Sequence, residues 1–148
     1  MRNRTSATAD GLLGAPGGKV KMIAYWVTTL IIVWELAAGG VWDVLRIPYV
    51  RDVIQHLGYP SYFLVIMGIW KIPGAVVLLM PRFPVLKEWA YAGAFFTYFA
   101  ATASHLAVGD NFGVWAGPAG YGIILIASWL LRPSTRRAAP NVTAAANV

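Results

Sequence analysis

The chain has no cysteine, which removes disulfides, thiolate metal sites and dithiol redox chemistry together. Charge is also scarce. Charged residues make up 12% of the 148, with twelve basic against six acidic, and there are only two histidines, His56 and His105. Neither histidine has another at i+3 or i+4, so no metal pair is expected. No phosphate-binding glycine motif is present, and without cysteine or paired histidine the chain has no evident means of holding flavin, haem or an iron–sulfur cluster. The net charge of +6 does not point to nucleic acid, because the basic residues stand at the ends of apolar runs and do not interleave with aromatics. They read as topology signals and contacts to anionic lipid.

What the chain has instead is apolar surface: 58% hydrophobic residues, 14% aromatic, and a mean hydropathy of +0.59. That composition is too greasy for a soluble domain of this length and identifies a membrane protein. Four apolar stretches, about 22–41, 61–80, 88–108 and 113–131, each approach the roughly 20 residues that a helix needs to cross ~30 Å of hydrocarbon. The expected fold is therefore all-α, an integral membrane four-helix bundle over 21–133. The segments 1–20 and 134–148 are expected to be disordered tails, being rich in small residues without periodicity. The fourth stretch is the weakest, since Gly117, Pro118, Gly120 and Gly122 crowd its start, and a late or irregular beginning is expected there. The first resembles a cleaved signal peptide in its flanks, Lys19 and Lys21 before and Ala37-Ala38-Gly39 after. However, its apolar run is long for that and carries Trp34 and Glu35, which favours a retained helix.

Basic flanks stay cytoplasmic. Nine basic residues (Arg2, Arg4, Lys19, Lys21, Arg82, Lys87, Arg132, Arg136, Arg137) fall on one side of this scheme and two (Arg46, Arg51) on the other, so both termini are expected inside. Trp26, Trp42, Trp89, Trp115 and Trp129 lie near span ends as interfacial anchors. The first outer connection, 43–60, mixes apolar and charged residues as an interfacial segment does.

Three ionisable side chains fall within the spans. A cation at the centre of a spanning helix costs roughly 2.5–3.5 kcal/mol on insertion scales, so Lys71 calls for a partner or a task. Helical rise places Glu35 ~20 Å and Lys71 ~15 Å from the inner face, with His105 nearer the outer surface at ~26 Å. Small residues flank all three at helical spacing, so all three are expected to point into the bundle, with Glu35 neutralising Lys71. With Asp110 they form a candidate intramembrane polar cluster, expected in the outer half, the inner half being read as nearly all apolar. Trp34 and Trp70 stand mid-span, each just before one of the paired charges; with Tyr98 they are candidate walls for a flat ring such as a quinone. The residues alone read equally as packing groups whose charges fix helix register, and a short proton relay from Glu35, Lys71 and His105 is a third reading.

Several motifs together resemble the DoxX-like family of small four-helix bacterial membrane proteins: Gly58-Tyr59-Pro60, "GIWKIPGAVVLLMP" at 68–81, "LKEWAYAG" at 86–93, "SHLAVGD" at 104–110 and Arg132-Pro133. The resemblance covers roughly 21–133 and implies a multi-pass protein of the bacterial cytoplasmic membrane. Some relatives are subunits of membrane thiosulfate:quinone oxidoreductases, and others are linked to redox protection or to assembly of partner proteins. It brings no assigned catalytic residue. Two functions follow as expectations: a quinone-side subunit whose oxidoreductase partner supplies the redox cofactor, or a non-enzymatic scaffold or assembly factor, in either case lipid-embedded and alternatively a homo-oligomer.

Overall fold

The structure is a computed structural model that describes residues 16–133 and residue 136. Among these residues it is all helical: α1 Pro16–Leu45, α2 Pro48–His56, α3 Tyr62–Leu79, α4 Pro84–Ala107 and α5 Phe112–Leu131. Helices α1, α3 and α5 are long and apolar enough to cross a membrane. Helix α4 is 24 residues long. Its composition is less apolar because it carries Lys87, Glu88, His105 and several hydroxyl residues.

The first helix starts at Pro16, inside the segment expected to be tail, and the rest of 1–20 lies outside the described residues, as does 134–148 apart from residue 136. The connection expected over 43–60 is shorter than that. Helix α1 continues through Asp43 to Leu45, and most of the remainder is α2, entered through Pro48 in its first turn. The irregular start expected for the fourth stretch is not found. Helix α5 begins at Phe112 and runs unbroken through Gly117, Pro118, Gly120 and Gly122. In lipid, unpaired backbone groups have no water to turn to, so the helix persists where propensity alone would argue against it.

The core is a narrow column of Ile32, Leu36, Ala75, Leu78, Tyr91, Ala94, Tyr98 and Leu125. Outside it the bundle presents bare apolar side chains, among them Trp34, Ile69, Trp70, Phe96, Phe99 and Ile123. Apolar surface on that scale is what a bilayer covers. Helices α1 and α3 meet most closely at Gly40 and Gly68: a Cβ on Gly68 would lie 2.5 Å from the Gly40 carbonyl oxygen and 2.7 Å from Val44 Cγ2. Nothing larger than hydrogen fits there, and the two backbones touch.

The direction of α4 is fixed at both ends. Near its start the Lys87 ammonium, 1% exposed, donates to the carbonyls of Val77 (2.9 Å) and Leu78 (2.7 Å), two acceptors that the end of α3 leaves unpaired. Near its finish His105 joins the α2 end of the molecule. Helix α4 thus runs antiparallel to α3 over the full height of the bundle.

Candidate functional site

The residues expected to form one intramembrane polar cluster fall into two groups. The first is centred on Lys71, whose Nζ lies 3.5 Å from Glu35 Oε1 and 3.1 Å from Asp43 Oδ2. The contact to Glu35 has hydrogen-bonding geometry; the nearer one, to Asp43, is an ion pair whose angle falls outside it. Gly39 makes this possible. It stands one turn from each carboxylate on α1, and a Cβ there would sit 3.1 Å from Glu35 Oε1 and 3.4 Å from Lys71 Nζ. Tyr98 on α4 completes the group by donating its hydroxyl to Glu35 Oε2, while its ring stacks on Tyr121 at 5.8 Å. One cation is therefore held between two carboxylates, with a phenol on the far side of one of them.

The structure thus brings together Glu35, Lys71 and Tyr98, and adds Asp43. The sequence reading places Asp43 in the first outer connection, although its spacing of eight residues from Glu35, about two helical turns, is the signal that could have found it. The side chain is buried, 4% exposed.

The second group stands apart from the first. His105 Nδ1 lies 2.7 Å from Asp110 Oδ2, and His56 Nε2, from α2, lies 2.8 Å from Asp110 Oδ1. Tyr59 and Ser104 add a hydroxyl pair at 2.9 Å nearby. His105 is seven residues beyond Tyr98 on α4, about 10 Å along the axis. The four-residue cluster of Glu35, Lys71, His105 and Asp110 is accordingly two clusters, and His56, not singled out in the sequence, belongs to the second. Hydrogen bonds from His105 and then His56 hold the Asp110 carboxyl below the usual 3.8, since they favour its ionised form.

The tryptophans also separate. Trp34 is 74% exposed and points away from the interior on α1, whereas Trp70, 73% exposed, lines a cleft between α3 and α4. That cleft has a volume of 540 Å³ and is walled by Phe63, Met67, Trp70, Trp89, Gly93 and Ala94, with Lys71 the one charged residue in its lining. Trp34, Tyr98 and His105 are not part of the lining.

The opposite end of the bundle, where α1 begins and α5 ends, is not apolar as expected. Thr29 and Ser128 hydroxyls are 2.7 Å apart and Tyr91 joins them at 2.9 Å, all three side chains buried. Glu88 accepts from Arg132 and, at 2.9 Å, from the Trp129 indole. Residues such as Thr29 and Ser128 carry no charge, so hydropathy passes over them, yet each needs a partner once buried.

These features define a small multi-pass, all-helical membrane protein that keeps an ion-pair group between its helices. The model of the DoxX-like family matches residues 27–128, more than half of the chain, and the protein belongs to that family. The match includes Glu35, Asp43, Lys71, Tyr98, His105 and Asp110. No curated protein and no solved structure matches the chain.

Proposed function

We propose that the chain crosses the bacterial cytoplasmic membrane four times with both termini inside, and that its α3–α4 cleft receives the ring of a lipid-soluble quinone for a partner oxidoreductase subunit. The nine-to-two distribution of basic residues supports the orientation. The antiparallel run of α4 supports the fourth crossing.

One observation carries the functional reading: the cleft is of ligand size, nearly all apolar, and has a single ammonium in its wall. Pockets for small molecules commonly span about 300–1,000 Å³ with few polar groups, and 540 Å³ lies well within that range. Trp70 offers a flat face to a ring and Lys71 a donor to a ring oxygen. Reduction of a quinone takes two electrons, which the partner supplies, and two protons.

The scaffold reading keeps one point in its favour. Lys71 already has two carboxylates, so its charge is accounted for by helix packing. Photolabelling of the purified protein with an azidoquinone separates the two. Labelling in the cleft, lost in Trp70→Ala and in Gly93→Leu at unchanged folded yield, is the expected result; Gly93 has open space where a side chain would go. Labelling equal in wild type and both variants, or co-purification of a partner with no bound ring, favours the scaffold.

A further inference from the structure

The end of the bundle where α1 begins and α5 ends gathers cations. Lys87 and Arg132 are 1% and 3% exposed, and Arg136 lies with its guanidinium carbon 4.8 Å from the centre of the Trp26 ring. Arg132 sits over the Tyr91 ring at 5.3 Å. Both arginines are close enough to repel the Lys87 ammonium. Against these three cations stands Glu88, which is engaged by Arg132 and Trp129.

Two donors here have no acceptor among the described residues. One is Arg136 Nη1, and the other is the hydroxyl of Tyr25, a side chain 1% exposed. The two are linked through Trp26, whose ring meets the Tyr25 ring edge-on at 5.4 Å and lies beneath the Arg136 guanidinium. A buried donor without a partner is costly. Two of them in a field of positive sign call for an acceptor that is also an anion.

The surroundings indicate which anion. Exposed Trp89 and Trp129, and exposed Lys19, Lys21 and Arg82, stand at this same end of the helices. Indoles and basic side chains in that arrangement suit the headgroup layer, where phosphodiesters are the abundant anions. We propose that this end of the bundle binds the phosphate of an anionic lipid headgroup, with Arg136 Nη1 and the Tyr25 hydroxyl as donors and Lys87 and Arg132 supplying the field. Tyr25, Lys87, Arg132 and Arg136 are not part of the α3–α4 cleft lining, and the proposal does not depend on quinone binding.

Native mass spectrometry of the full-length protein in detergent, titrated in parallel with phosphatidylglycerol, phosphatidylcholine and inorganic phosphate, tests it. Phosphatidylglycerol should be retained over the other two. Arg136→Gln should lower that retention about fivefold, the effect of one basic residue near an anionic headgroup. Tyr25→Phe should lower it about threefold, as for one neutral hydrogen bond, without lowering thermal stability, since the lost hydroxyl had no partner within the protein. Arg82→Gln, at an exposed cation of the same end, should leave retention close to wild type. An equal loss in Arg82→Gln and Arg136→Gln would make the effect diffuse surface charge and overturn the site. Inorganic phosphate binding as well as the lipid would overturn the assignment to a headgroup, and wild-type retention in both Arg136→Gln and Tyr25→Phe would overturn the donors.

Discussion

Lys71 and His105 both bring a basic nitrogen into the bundle from a long helix, and both find carboxylates, but the two arrangements are built differently. The Lys71 group is assembled from three helices at mid-height, with side chains 14% exposed for Lys71, 17% for Glu35 and 4% for Asp43. The His105 group ties the end of α4 to α2, and its outer member, His56, is 55% exposed. Where water is excluded, a charge needs compensation and the chain supplies it twice over. Where water is near, one carboxylate shared by two imidazoles serves as a clasp for a short helix. A charge can thus be costly in one place and a means of attachment in the other, within one chain.

The sharpest way to break this comparison is to remove the central cation. Lys71→Met leaves two carboxylates facing each other with nothing between them, and a buried pair broken on one side commonly costs about 3–5 kcal/mol. Glu35→Gln should cost much less, because Lys71 keeps Asp43 and the Tyr98 hydroxyl keeps an acceptor. Thermal unfolding in detergent should show that order, and a Glu35→Gln variant as unstable as Lys71→Met would contradict the three-membered group. The sequence alone predicts a two-membered pair, in which losing either partner leaves a lone buried charge.

A smaller effect is expected at the seam beneath Lys71. Gly68→Ala places a methyl against the Gly40 carbonyl and should cost about 1–3 kcal/mol, as overpacking does, through separation of α1 from α3. Gly74→Ala, two turns of the same helix away from that seam and with nothing within 4 Å of the added carbon, should be neutral or stabilising by up to about 1 kcal/mol from helix propensity. Equal melting temperatures for the two variants would place the close approach elsewhere.

The gentlest test concerns the clasp. Because the Asp110 carboxyl is held below 3.8, its contribution to docking α2 is complete above that pH and lost as pH falls through the lowered value. The protection of the α2 amides, measured against their intrinsic exchange rates at each pH, should therefore fall on acidification in wild type. In Asp110→Asn that protection should already be low at neutral pH, with little further change on acidification. The Lys71 group should keep its protection over the same range. Wild-type α2 protection that does not change on acidification would detach Asp110 from that role.

The sequence by itself determined that this is a helical membrane protein, where its long helices lie, and that Lys71 must meet Glu35. Those conclusions follow from length, hydropathy and the cost of a bare cation in lipid, all of which are local properties of the chain. It also determined the family, through motifs such as "SHLAVGD". Tertiary structure alone decided that Asp43 faces Lys71, that His56 meets Asp110 across 54 residues, and that Trp34 and Trp70 part company. The physical reason is rotation and length: a helix residue moves about 100° around the axis per step, so which neighbour a side chain meets depends on where the helix ends and how it is turned against the others. Helix α1 runs on to Leu45, which carries Asp43 into the interior, and the contact of Gly40 with Gly68 sets the turn of α1 against α3 that places Asp43 beside Lys71.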